Sequence, residues 1–96
     1  MIVRIVKMSF IPEKVNEFLN VFNEHSSAIA NAAGCIDLQL IQHNNSSTFF
    51  TISKWQSEQD LENYRQSDLF AIVWPQTKAL FNQKAEAWTN SVVFSK

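Results

Sequence analysis

Residues 1–10, MIVRIVKMSF, constrain the fold more than any other stretch, because they alternate with a period of two and are apolar on both sides. Ile2, Val6, Met8 and Phe10 share one face with Arg4, while Val3 and Ile5 share the other with Lys7 and Ser9. An antiparallel strand with one wet face shows polar residues at every second position. This strand does not, so both of its faces need cover. The doubling recurs in TFFTISKW, residues 48–55, where Phe49 and Trp55 oppose Phe50 and Ile52. The 96 residues make a single domain, 1–96, that buries roughly 60–65% of its unfolded surface. That length supplies helices for one side of a sheet and none for the other.

The remaining elements follow from local signals. Pro12 suits a first helical position, and Val15, Phe18, Leu19, Phe22, Ser26 and Ile29 keep the spacing of an amphipathic helix. Gly34, the only glycine, is expected to cap that helix at its C-terminus. In CIDLQLIQH, Ile36, Leu38 and Leu40 alternate against Asp37 and Gln39, and the polar turn Asn44-Asn45-Ser46-Ser47 pairs this strand with TFFTISKW as a hairpin. Two serine starts then follow, at Ser57 and Ser67. Ser57 with Asp60 approximates a capping box, and Ser67 with Asp68 places a negative charge at a positive helix end. The second of these helices carries Phe70, Val73, Trp74, Thr77 and Phe81 inward, with Pro75 expected to kink or split it. Residues 88–95 alternate Trp88, Val92 and Phe94 against Thr89 and Ser91 as a fourth strand.

The order βαββααβ predicts an α+β, ferredoxin-like domain, a four-stranded antiparallel sheet with helices on one side. The other face, expected to carry Val3, Ile5, Ile41 and Phe49, is left bare. A second copy packed sheet against sheet, a homodimer, covers it most economically. The alternative is that Phe49 and Ile41 are scattered surface hydrophobes.

Composition removes several function classes. Net charge is −1 with Lys and Arg thinly spread, which argues against a nucleic-acid partner. One glycine cannot build a phosphate-cradling loop. No membrane span or secretory signal is evident, and a lone Cys35 suits a reducing compartment, so a cytoplasmic protein is expected. His25, Cys35 and His43 lie on different elements, without the tight pairing of zinc or iron ligands, so no metal is expected. No serine stands in a nucleophile elbow. What remains is aromatic: Trp55 at a strand end, Tyr64 in the first short helix and Trp74 on the inward stripe of the second. These can converge between sheet and helices, with Arg4 in the same layer. The group reads either as ordinary core or as the wall of a flat, mostly apolar cavity for an aromatic ligand.

Over nearly its whole length the chain resembles the antibiotic biosynthesis monooxygenase family of the dimeric α/β-barrel group. The resemblance lies in the opening strand, the helix ending in AAGC, the hairpin, and above all KWQSEQDLENYRQSDLF, similar to the family's Trp-x-Ser, acidic helix and Ser-x-x-Phe progression. It implies a homodimer whose sheets close into a barrel, with a cavity in each subunit. It also implies a cofactor-independent oxidation of quinol-like or polyphenolic substrates by O2, without flavin, metal or nicotinamide. Carried onto this chain, Tyr64 and His43 become the catalytic candidates, His43 as proton acceptor. Arg4, Trp55 and Trp74 become substrate-binding candidates, with Arg4 or Tyr64 stabilising a phenolate. The chain departs from the pattern where many members carry histidine, at Tyr64 and Leu69, and where a glutamate is common, at Lys54. The residues of a haem-degrading branch are also replaced, by Val6, Tyr64 and Trp74. Both a monooxygenase and a non-catalytic dimer that binds a small aromatic fit these residues.

Overall fold

A computed structural model describes residues 1–96. The chain runs β1 (Ile2–Ser9), α1 (Val15–Ala30), β2 (Cys35–Gln42), β3 (Thr48–Trp55), α2 (Glu58–Arg65), α3 (Asp68–Lys78) and β4 (Glu86–Ser91). The four strands form one sheet in the order β2-β3-β1-β4, with every neighbouring pair antiparallel. This is the expected ferredoxin-like arrangement. The two-sided strand β1 takes a central position, paired with β3 on one side and β4 on the other.

Several local expectations are corrected. Pro12 opens a short 3-10 turn, Pro12–Lys14, and α1 proper begins at Val15. Gly34 is not the cap of α1: the helix ends at Ala30 and Asn31 caps it, its side-chain amide donating to the Ser27 carbonyl at 2.8 Å. Gly34 instead turns the chain into β2 with φ +84°, a left-handed conformation that glycine adopts without penalty. A Cβ there would overlap the Asp60 side chain, so the turn and the start of α2 approach each other only because the residue is glycine. Ile36 does not lead the inward face of β2. A bulge between Cys35 and Asp37 pushes it out to 44% exposure, and Cys35 turns inward in its place. β4 covers Glu86–Ser91 rather than 88–95, because Ser91 already pairs with Ile2, the first residue of β1. α3 continues through Pro75 without splitting, the Pro75 carbonyl accepting from the Ala79 N–H at 3.1 Å.

Phe49 is also placed differently from expectation. It pairs with Met8, and both point at the helices with 3% exposure. Its neighbour Phe50 is the outward residue, opposite Lys7 and Ile41. Cross-strand register thus gathers Val3, Ile5, Ile41, Phe50, Ile52 and Trp88 on the helix-free face, Ile41 and Trp88 being 44% and 46% exposed.

The helix-covered face holds a core in two pieces. One end of the sheet buries Met8, Phe10 and Phe49 against Phe18 of α1 and Leu80, with the Phe10 and Phe18 rings stacked 4.0 Å apart. The other end buries Ile2 and Trp55 against Leu61 of α2. Between the pieces, the same face of β1 and β3 offers Arg4, Val6, Thr51 and Ser53, paired in register as Arg4 with Ser53 and Val6 with Thr51. Polar or short side chains in mid-sheet leave the centre of the layer unfilled.

Candidate functional site

That gap is a cavity of about 260 Å³. Its floor is the middle of the sheet: Arg4 and Val6 from β1, Leu38 from β2, Thr51 and Ser53 from β3, and Ala87 from β4. Its walls are Phe18, Phe22 and Ile29 of α1, Leu61, Tyr64 and Arg65 of α2, and Phe70, Val73, Trp74 and Thr77 of α3. Benzene occupies an engineered apolar cavity of about 150 Å³, so this space is sized for one substituted ring or a fused pair. All of β4 is exposed on its strand, and the small side chains of Ala85 and Ala87 leave the cavity open on that side.

The double cap explains how the aromatic wall is built. The Ser57 hydroxyl accepts from the Asp60 N–H and donates to the Asp60 carboxylate, both at 3.1 Å, which starts α2 directly after Trp55 and Gln56. The Ser67 hydroxyl does two tasks: it donates to the Tyr64 carbonyl at 2.6 Å, closing α2, and accepts from the Phe70 N–H at 3.2 Å, opening α3. One side chain thereby satisfies the end of one helix and the beginning of the next, and the chain turns sharply between them. The turn places Tyr64 stacked on Trp55 with ring centroids 5.2 Å apart, Phe70 edge-on to Tyr64 at 5.4 Å, and Trp74 stacked on Phe70 at 5.7 Å. From Trp74 the run continues through Phe81 into Phe10 and the first core cluster. The cavity is thus bordered by a continuous band of ring contacts, alternately stacked and edge-on from Trp55 to Phe81.

Arg4, Trp55, Tyr64 and Trp74 all line this one cavity. His43 does not; it is exposed at the end of the hairpin, its N–H donating to the Thr48 carbonyl at 2.9 Å and its carbonyl accepting from the Ser46 hydroxyl at 2.8 Å. His25, on α1, has its Nε2 3.9 Å from a Glu24 carboxylate oxygen and is also absent from the lining. The lining also includes residues that the sequence does not mark as site residues, among them Phe18, Phe22 and Phe70, which fit helix stripes and core, and Arg65, which carries no local signal. Phe70 was legible as the partner of Tyr64 and Trp74 from its place three residues after the Ser67 cap.

The polar groups have distinct electrostatic settings. Burial pushes the Tyr64 phenol up from its ordinary 10.0 to about 12, with Cys35 adding in the same direction, so at neutral pH the hydroxyl is a proton donor and not a base. Burial also lowers the Arg4 guanidinium from its usual value, the nearby Arg65 lowers it further, and Glu62 opposes both; it stays cationic. Arg4 Nη1 donates to Thr89 Oγ1 at 2.8 Å. Burial raises the Cys35 thiol, whose Sγ lies 3.7 Å from the Asp37 carbonyl oxygen, and this disfavours the reactive thiolate. Ser53 is buried and its Oγ accepts from Trp55 Nε1 at 2.9 Å, which fixes the indole against the floor. No group of three or more His, Cys, Asp or Glu side chains lies close enough to hold a metal ion. No helix is long and apolar enough to cross a membrane.

Comparison with known proteins agrees with this architecture. No curated protein matches the sequence. Among solved structures, the chain is similar to an antibiotic biosynthesis monooxygenase crystal structure at 18% identity and TM-score 0.91, over 97% of this chain and 99% of that one. It is similar to a conserved protein from Methanosarcina mazei Go1 at 26% identity and TM-score 0.86, over 93% and 90% of the two chains. Rv0793 from Mycobacterium tuberculosis aligns at 12% identity and TM-score 0.90, over 98% of this chain and 96% of its own. The sequence profile described as antibiotic biosynthesis monooxygenase matches residues 1–72, the span from β1 into α3 that supplies most of the cavity, and by that match the chain belongs to the antibiotic biosynthesis monooxygenase family.

Proposed function

We propose that the protein is a cofactor-independent monooxygenase that oxidises a quinol-like or polyphenolic substrate with O2 in the cavity between sheet and helices. The observation that carries this reading is the aromatic band around an opening of about 260 Å³ with a phenol and a guanidinium among few polar groups. A hydroquinone loses a phenolic proton to water at the open β4 side, and the electron-rich anion passes an electron to O2. The two radicals join at a ring carbon, and the resulting hydroperoxide loses water. The sum is hydroquinone plus O2 giving a hydroxyquinone and water: the ring supplies four electrons, one oxygen atom enters the ring and the other leaves as water. Trp55 and Trp74 hold the ring, and the Tyr64 hydroxyl donates to the developing phenolate while Arg4 lowers its energy.

The bare sheet face supports the homodimer as the working unit. Val3, Ile5, Phe50 and Ile52 are neighbours across β1 and β3, a contiguous apolar patch that a second copy covers by the same surface.

A second reading has its own support: no histidine lines the cavity and Tyr64 keeps its proton to about 12, so the site has an aromatic cradle without a base. On that reading the protein binds a small aromatic without turning it over. Oxygen uptake and product analysis with a panel of hydroquinones, under air and under argon, separate the two. The enzyme reading expects oxygen-dependent hydroxyquinone, with kcat/KM falling about a hundredfold in Tyr64→Phe, the scale of one lost oxyanion donor. Saturable binding with no oxygen consumed above the buffer rate establishes the second reading instead.

A further inference from the structure

Building on the reading of this cavity as an aromatic-ligand site, we propose that its ligand is an aromatic acid, whose carboxylate is held by Arg4 and Arg65 while its ring lies against Trp55 and Tyr64. Both guanidiniums line the cavity, and no carboxylate side chain does. The Lys and Arg ion pairs of the chain are Lys14–Glu17 and Arg65–Glu62; Arg4 belongs to neither. Its one side-chain partner, the Thr89 hydroxyl at 2.8 Å, is neutral. Glu58 and Glu62 line a neighbouring surface pocket with Arg65 and Thr89; Glu62, the one of the two in an ion pair, is already shared, 3.5 Å from Arg65 Nη1 and accepting from Gln66 Nε2 at 3.0 Å. Inside the cavity, then, two arginines stand with no carboxylate, and Arg4 has no ion-pair partner.

A half-buried arginine in mid-sheet is costly when alone and favourable when an anion arrives to meet it. The Arg4 guanidinium is lowered from its usual value, first by burial and next by Arg65, with Glu62 opposing both and not reversing them, and Arg4 has no carboxylate within ion-pair distance. Placement completes the case. Arg4 sits on the cavity floor between Ser53 of β3 and Thr89 of the exposed strand β4, and Arg65, at the end of α2, lines the same cavity near enough to influence its charge. A carboxylate entering from the β4 side meets two planar forks suited to bidentate hydrogen bonding, with the aromatic band beyond for the ring.

The test titrates the intact protein at neutral pH with gentisate, its methyl ester and hydroquinone, following quenching of the cavity tryptophans. The ester keeps the ring and hydroxyls of gentisate and removes only the charge. Gentisate is expected to bind tighter than its ester by about tenfold or more, the worth of one charge-assisted hydrogen bond. Arg4→Gln and Arg65→Gln each narrow that gap, and Glu62→Gln widens it by removing the competing carboxylate, a response that loss of packing does not produce. Arg65 is exposed, so Arg65→Gln keeps the test decisive if Arg4→Gln fails to fold. Equal affinity for acid and ester, or a gap untouched by these substitutions, overturns the aromatic-acid assignment and leaves the aromatic site standing. Failure of all three compounds to bind overturns the aromatic site, and this assignment with it.

Discussion

Two residues show how much a single side chain settles here. Gly34 holds φ +84° against the Asp60 side chain, so Gly34→Ala combines a strained backbone with an overlap at the start of α2. The expected cost is about 1–3 kcal/mol, read as a lower denaturant midpoint with an unchanged slope. Tyr64 is the only tyrosine, so near-ultraviolet phenolate absorbance reports its ionisation alone. Its folded value is displaced upward, from 10.0 to about 12, which means the folded state holds the proton more tightly than the unfolded chain. The stability this contributes is complete below pH 10.0 and is lost as pH rises to about 12. Unfolding measured across that window should steepen for the native protein and flatten in Tyr64→Phe; an absorbance titration centred at the ordinary tyrosine value would show the phenol to be solvated. Arg65 illustrates the opposite case. Nothing within a few residues of it distinguishes a solvent-facing helix end from a cavity wall, and its role depends on Arg4, which lies far away in sequence.

At the scale of elements, the caps were legible because they are local. Ser57 and Ser67 each satisfy an N–H three residues on, a contact that the chain encodes without reference to the rest of the fold. The structure adds that Ser67 also closes α2 through the Tyr64 carbonyl. Ser67→Ala therefore loosens two helix ends, with an expected loss of about 1–2 kcal/mol in denaturant unfolding. It should also weaken aromatic-ligand binding by freeing Tyr64 from Phe70, and restoration of both by Ser67→Thr checks that the hydroxyl is responsible. Where an element's limits depend on its partner, local signals fail. β4 stops at Ser91, opposite Ile2 where β1 itself begins, and Ile36 faces out because β2 bulges to keep register with β3.

For the whole molecule, the outstanding feature is an apolar sheet face without a helix. Ile52 lies at its centre, between Ile5 on β1 and Gln39 on β2. If this face joins the proposed homodimer, Ile52→Lys places two like charges near the symmetry axis. Sedimentation is then expected to show a monomer where the native protein is a dimer, with at least tenfold weaker association, since burying an unpaired charge costs well above 1.4 kcal/mol. A native protein that remains monomeric at high concentration sinks the dimer and leaves the cavity in place, because every cavity wall described comes from one chain.

The element order, the amphipathic face of α1, the paired caps and the greasy second side of β1 could all be read from residues close together in the chain, since each rests on a repeat or contact spanning a few positions. The cavity could not. It exists because Arg4, Val6, Thr51 and Ser53 fall opposite one another in register and because α2 and α3 turn over them. The meeting of Arg4 with Thr89 closes a separation of 85 residues. Such juxtapositions are properties of strand register and packing, and no periodicity along the chain encodes them.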